Sequence, residues 1–470
     1  MTGLRSVSTS KNCKAMENAL KQYIDLHDKH GEMLARTSAA AMSRPRREAR
    51  TRLDGVCLPR RGDEGYAVTD LGAMFAPDYG VNLSRMPFRG DVAAAFKCEV
   101  PNISTLLGVV SNDVFAPTSA LLRLLPPGVT VCTFGNAGKE CPGVLEKYYD
   151  RLTEKDNVAQ SLNTLLAQDG VLLHVAAGVR CQRTIQLLNI LGNVNKPLLA
   201  FRRLLVVLED DSECSLLTCD HAIRDGVGNA SSTVTEIVLG NRAVLHLHDI
   251  EESDDTTMRY SAYAADLAAG SHLDMGMTTL RCGTVRNEIA VTMNGEGAEC
   301  LLNGMAIIDG TQHADNSTFV RHAAAHCHSD QQFKYVADDK AQGAFEGLIL
   351  VDEGAHHTDA YQNNRNMLAS ATAKMHTQPQ LEIYCDDVKC SHGAATGQLD
   401  AEALFYMRTR GIDLATARTM LMQAFMADII DAVHLEPLRD RLRHLVEHRL
   451  SGATPSSDCA ACTSNPLSPV

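Results

Sequence analysis

Tryptophan is absent from this 470-residue chain, and aromatic residues make up only 5% of it. Sites that grip sugars or nucleobases rely on stacked aromatic faces, so a stacking-based role is disfavoured. Excess positive charge is missing as well. Lys and Arg number 44 against 57 Asp and Glu, a net charge of -13. Without a basic footprint, nucleic acid is not the main partner. No run of eighteen apolar residues occurs, so no membrane span is expected, and the N-terminus lacks the apolar stretch of a secretory signal. The pattern GxxxxGK[ST] is missing too. Gly135-Asn136-Ala137-Gly138-Lys139 comes nearest and lacks both the spacing and the hydroxyl. The chain is therefore not expected to hydrolyse ATP by itself.

Cysteine is plentiful at 15 residues, but the count is odd and the spacing scattered, so no disulfide framework is expected. A reducing compartment fits, and a cytoplasmic location is the expectation. The Ser, Lys and Arg near the N-terminus are also compatible with an organellar transit peptide. However, Met16, Leu20, Tyr23 and His27 fall at helical spacing with acidic residues between them, which favours a folded domain.

Four regions can be read along the chain. Residues 1–85 form an N-terminal helical domain and connector, with amphipathic periodicity from Lys14 to Ala41 and a basic, Pro-containing connector from Arg44 to Arg61. Arg44, Arg46, Arg47, Arg50 and Arg52 read as a solvated helix face rather than an anion site. Residues 86–395 form a β core of short apolar runs, among them Leu204–Leu208, Ser232–Leu239, Ala243–His248, Glu288–Met293 and Leu348–Val351. Turn signals separate them at Gly240-Asn241, Asn294-Gly295, Asn303-Gly304 and Asp309-Gly310. Val144–Leu166 reads as an inserted helix. Such a core is a barrel, a sandwich or a β-solenoid, and no strict repeat period chooses among them. Residues 396–450 form a C-terminal helical domain with Asp400 and Asp413 as N-caps. Leu414, Ala417, Leu421, Ala424 and Ile429 mark an apolar stripe on it. Residues 451–470, rich in Ser, Pro and Thr, read as a disordered tail.

The most informative stretch is Pro379 to Ile412, PQLEIYCDDVKCSHGAATGQLDAEALFYMRTRGI. Cys390 and His392 stand at i, i+2 on an extended segment, so both side chains project from one face. Thiolate and imidazole are ligand types of iron–sulfur chemistry. Two donors are too few for a cluster that takes four, so the pair implies completion from elsewhere, as at an interface. Asp386, Asp387 and Lys389 flank the pair and read as solvated.

These residues carry a resemblance. Asp386-Asp387-Val388-Lys389-Cys390-Ser391-His392-Gly393-Ala394, with Pro379–Ile383 before it and Ala403–Tyr406 and Arg408–Ile412 after it, is similar to the C-terminal signature of the SufD family of the Suf iron–sulfur cluster assembly system. Asp315–Ser329, Gly347–Val351 and Asp359–Asn366 resemble the same family in order. Ala395-Thr396-Gly397 departs from the family's usual Thr-Val-Gly, and Met367–Ser370 from its leucine run. SufB-like chains carry Glu-His-Glu-Ala where Cys390–Ala394 stands here.

The resemblance implies a mainly β fold, a right-handed parallel β-helix flanked by N- and C-terminal helical domains. It implies a scaffold rather than an enzyme, pairing with SufB and binding the ATPase SufC through the C-terminal helices. Leu421, Phe425 and Leu414 are the expected ATPase contacts, in a helix-in-groove mode. His392, with Cys390 beside it, would share a transient iron–sulfur cluster with a SufB cysteine. A flavin in the complex and a homodimer of the isolated chain are compatible with the family and specified by no motif here. The rival from another class is a cytosolic β-solenoid enzyme, a polysaccharide lyase or an acyltransferase. The missing signal peptide and tryptophan count against a lyase, and the lack of a six-residue repeat against a hexapeptide acyltransferase.

Other constellations read as structural. His322, His326, Cys327 and His328 offer zinc-type ligands, but the Thr318-Phe319-Val320 alternation suggests a strand. That would separate His322 from His326 by about 13 Å of rise. His246 and His248 alternate with leucines as a surface-facing stripe. Cys459 and Cys462 form a lone CxxC without a second pair. Ser391 and His392 point to opposite faces, which spoils a nucleophile–base bond.

Overall fold

The computed structural model describes residues 19–85, 106–192, 196–222 and 228–451. Met16, the tail beyond 451 and its Cys459–Cys462 pair lie outside the described residues. The chain is mainly β. Two ten-stranded sheets coil into a solenoid of about seven turns, with helices at both termini. From Leu198–Leu208 onward, consecutive strands alternate between the sheets, and each pairs in parallel with the strand two places further on.

Alternation along each strand sorts residues between the lumen and the outside. In Val244–Glu252, Leu245 and Leu247 join the lumen core with Leu216, Leu273, Met275 and Leu302, while Ile250 faces the other way. Burying each such leucine is worth roughly 1.5–3 kcal/mol. One corner is built the same way turn after turn. Gly178, Asp211, Arg242, Gly270, Gly297, His326 and His357 all adopt left-handed backbone, with φ between 56° and 71°. Each donates its N–H to a carbonyl of the next turn. Gly270 and Gly297 suit that conformation without steric cost, whereas His326 and His357 accept it because the corner bonds are made. The strands stay near ten residues while the other corners vary. In-register positions therefore run Met258, Thr284, His313, Gln342, Lys374 at unequal intervals, and no fixed repeat can be read from the chain.

The helices Ala19–Arg36, Ser43–Arg52 and Val158–Leu166 pack over the sheet containing Leu198–Leu208, burying Leu20, Tyr23, Leu34, Phe201 and Leu205. The helix-face reading of the arginines stands at Ser43–Arg52, but Arg46 on it is buried rather than solvated. Its guanidinium donates to Leu165 O at 3.2 Å, Ala167 O at 2.6 Å and Ser38 Oγ at 2.7 Å. Nearby, Tyr66 and Tyr260 each donate to Glu288 at 2.6 Å, and Arg286 pairs with Asp315 at 2.8 Å.

Other readings are corrected too. Val144–Leu166 is two helices, Val144–Tyr148 and Val158–Leu166, parted at Tyr149–Asn157. Asn303-Gly304 is not a turn but mid-strand in Glu299–Ile308. A Cβ on Gly304 would lie 2.2 Å from Phe333 Cδ1, so this glycine makes room for a ring. His246 and His248 are not a surface stripe. His248 is buried, its imidazole pushed down to about 4 by desolvation, and the His246 ring stacks on His434 at 3.8 Å.

At the C-terminus, Asp400 and Asp413 accept backbone N–H groups as N-caps of Ala401–Thr409 and Leu414–Asp431. Leu414–Asp431 and Glu436–Leu450 lie along the solenoid. Met422, Met426, Ile429, Ile430, Leu438 and Leu442 meet Ile250, Leu280, Met305, Ile307 and Val336. The stripe read from the sequence is therefore rotated. Ala417 and Ile429 are buried, but Leu414 is 48% exposed, Ala424 is exposed and Leu421 is half-buried. The helix carries Leu, Met, Ala, Phe or Ile on nearly every side, so its own pattern does not select the packed face.

Candidate functional site at the far end of the solenoid

The last two strands, Lys374–Ile383 and Val388–Gln398, end their respective sheets. Among the described residues each is paired on one side only, which leaves a row of free backbone groups on its outer edge. In Val388–Gln398, Cys390 is in register with Ala360 and His392 with Gln362. In-register residues of parallel neighbours face the same way, so both side chains follow Ala360 and Gln362 toward the lumen side of the last turn. Ser391 faces the opposite side.

Cys390 is half-buried against Ile349, Val351, Ala355, Ala360 and Cys385. Burial pushes its thiol up from the ordinary value, so metal binding there requires loss of a proton that the site retains at neutral pH. His392 is exposed. The flanking Asp387 pairs with His357 Nδ1 at 3.1 Å, and His357 stacks on His326 at 4.6 Å. Cys385 lies 3.2 Å from His356 Nδ1. The sequence reading missed the Cys385–His356 pair, because its partners stand one solenoid turn apart. Of the four-residue cluster around 322–328, His322 is buried against Ser329 Oγ at 2.9 Å, and Cys327 donates to Gly295 O at 3.3 Å. Among the described residues, no group of three or more His, Cys, Asp or Glu is placed to hold a metal. Cys390 and His392 therefore remain an incomplete donor set.

A second surface lies on the C-terminal helices. Ala401–Thr409 buries none of its residues, and Phe405 and Tyr406 are 70% and 59% exposed. Leu414, at the start of the next helix, is also exposed. Phe425 instead packs partly against the solenoid, its ring 4.7 Å from Lys334 Nζ, and Leu421 is half-buried. The sequence reading passed over Phe405 and Tyr406, although two adjacent aromatics on a helix with otherwise weak amphipathicity were visible in it. Among the described residues, no helix is long and apolar enough to cross a membrane.

Residues 17–187 match the SufBD protein N-terminal region, and residues 190–425 match the SufBD core domain of SUF-system FeS cluster assembly. An iron–sulfur cluster assembly SufBD family protein of Synechocystis sp. is 29% identical over 431 residues, covering 90% of this chain and 94% of its own. The iron–sulfur cluster assembly protein SufD of Escherichia coli is 36% identical over 189 residues, covering 40% of this chain and 44% of its own. The chloroplastic protein ABCI7 of Arabidopsis thaliana is 24% identical over 455 residues, covering 94% of each chain.

Proposed function

Because the chain belongs to the SufBD family of iron–sulfur cluster assembly proteins, we propose that it is a SufD-type scaffold subunit whose last turn pairs with a SufB-type subunit and offers His392 to a nascent cluster. The observation that carries this reading is the position of His392, exposed on a terminal strand with one edge unpaired. A cluster built for delivery must be held reversibly. A site divided between two subunits can be opened by moving them apart, and an imidazole in place of a thiolate alters cluster charge and potential. Cys390 contributes as a secondary donor once deprotonated. Iron and sulfide are cargo here, and the chain performs no chemistry of its own.

The driving ATPase, of the SufC type, docks on the C-terminal helices. The exposure of Phe405, Tyr406 and Leu414 supports this, since a large aromatic patch left in solvent marks an interaction surface. The cytoplasm remains the proposed location.

The test is His392→Ala in the assembled complex. Cluster yield, read from visible absorption and iron content, falls several-fold while the complex still co-elutes. An unchanged yield in an intact complex would remove His392 from the role.

A further inference from the structure

A polar column runs inside the last turns of the lumen, and it ends under His392. Gln331, Gln362 and His392 are in register on three successive strands of one sheet. Gln331 and Gln362 are 0% and 2% exposed. Thr318, from the opposite sheet, donates to Gln331 Oε1 at 2.7 Å, and Gln362 Nε2 donates to the same oxygen at 3.3 Å. Among the described residues, Gln362 Oε1 and Gln331 Nε2 are both buried without a hydrogen-bond partner. An orphaned amide oxygen of this kind costs about 1–3 kcal/mol. An imidazole N–H from the next rung would supply the missing donor.

The surroundings are shaped to keep that amide in place. Gly347 sits opposite on the other sheet, in a strand interior where glycine costs about 0.5–1 kcal/mol relative to alanine. A Cβ there would lie 2.2 Å from Gln362 Nε2, 2.7 Å from its Cδ and 2.9 Å from Thr318 Oγ1. Gly347 therefore provides the space that the amide fills. Four residues along the same pair of strands, the equivalent link from the buried rung to the terminal one is already made. Asn366 Nδ2 donates to Thr396 Oγ1 at 3.1 Å, and these two are in register.

We propose that Gln362 is the positioning residue for His392: its Oε1 accepts one imidazole N–H, which selects a single tautomer and turns the other ring nitrogen outward, lone pair first, toward incoming iron. This rests on the reading of His392 as the cluster-facing group. Adjacent strands lie about 4.8 Å apart, a gap that a glutamine and an imidazole span together. The amide nitrogen is engaged on the turn beneath, and the oxygen is left free for the turn above. Outer partners of metal-binding histidines fix tautomer and ring direction in this way, and losing one costs 10–100-fold in affinity or activity.

The experiment uses the full chain labelled with 15N-histidine, with the His392 signals assigned by comparison with His392→Ala. The unmodified protein gives ring 15N shifts of one dominant tautomer. Gln362→Met keeps the volume and removes the acceptor, and the shifts move toward a tautomer mixture. Gln362→Glu, whose protonated carboxyl keeps a donor toward Gln331 and an acceptor toward His392, restores the single tautomer. Gly347→Ala displaces the amide from the other sheet and reproduces the Met result with Gln362 intact. In the assembled complex, cluster yield falls about tenfold for Gln362→Met and stays near normal for Gln362→Glu. A single unchanged tautomer in both Gln362→Met and Gly347→Ala overturns the inference. Failure of the His392 reading is separate: there His392→Ala leaves cluster yield intact while the tautomer still responds to Gln362.

Discussion

His322 is a histidine that the solenoid uses as a neutral core residue. It is fully buried, its Nε2 meets Ser329 Oγ at 2.9 Å, and desolvation pushes its imidazole down to about 4. The unfolded chain takes up a proton near pH 6.5 and the folded one does not until near pH 4. The stability contribution is thus complete above pH 6.5 and is lost as pH falls toward 4. Between pH 7 and 5 the loss is about 2 kcal/mol. His248, also pushed down to about 4, adds to it. Glu251 opposes both, because burial raises its carboxyl to about 7. Its contribution is present below the unfolded value and lost as pH rises through 7. Urea unfolding of His322→Gln at pH 7 and pH 5 isolates the first term: the variant loses about 2 kcal/mol less over that interval than the unmodified protein. Equal losses in both would mean that His322 is protonated in the native state.

The helix Leu414–Asp431 is held to the solenoid by one buried cation as well as by apolar contact. Lys334 Nζ donates to Phe425 O at 2.8 Å and to Asp428 at 2.7 Å. Lys334→Met removes that charged hydrogen bond and the Asp428 ion pair, a loss of roughly 1–3 kcal/mol. Hydrogen exchange then quickens across 414–450 and not in the solenoid strands. The same packing separates two classes of substitution on these helices. Leu421→Ser and Phe425→Ser remove half-buried surface and lower the melting temperature. Phe405→Ser together with Tyr406→Ser leaves the melting temperature in place and weakens capture of the SufC-type ATPase tenfold or more. Full capture by the latter variant would locate the ATPase elsewhere. Much at this scale was legible in the sequence. The caps Asp400 and Asp413 announce their helices because a cap is a local matter of four residues. The strands announce themselves by alternation. Gly304 misleads as a turn signal because its reason, the Phe333 ring, stands one solenoid turn away. The buried face of Leu414–Asp431 is chosen by the sheet beneath it. Cys390 and His392 are visible because they are adjacent in the chain, whereas Gln362 and Gly347 join them only through the coil.

The two ends of the solenoid differ in a way that gives the molecule a direction. At the first end, both sheets finish in short antiparallel edges, Val114–Pro117 and Val129–Thr133. Short edge strands offer little to an incoming chain. At the far end the terminal strands are ten and eleven residues long and parallel to their neighbours. Of these, Lys374–Ile383 carries Pro379 mid-strand, and a proline cannot donate to a ladder. Val388–Gln398 contains no proline, carries His392, and runs through the small residues Gly393, Ala394 and Ala395, which let another backbone approach closely. Main-chain pairing along this edge would set a partner subunit at a fixed register beside the imidazole, as β-augmentation does elsewhere. A lysine on an edge strand blocks such pairing while leaving the strand's own ladder intact. Ala395→Lys, at an exposed position outside the lumen, is therefore expected to keep the melting temperature and weaken pairing with the SufB-type subunit by tenfold or more, about 1.4 kcal/mol. Light scattering on the mixed subunits reads this directly, as loss of the heterodimer mass. If the heterodimer forms as tightly as before, the partner does not use this edge, and His392 meets the cluster from some other approach.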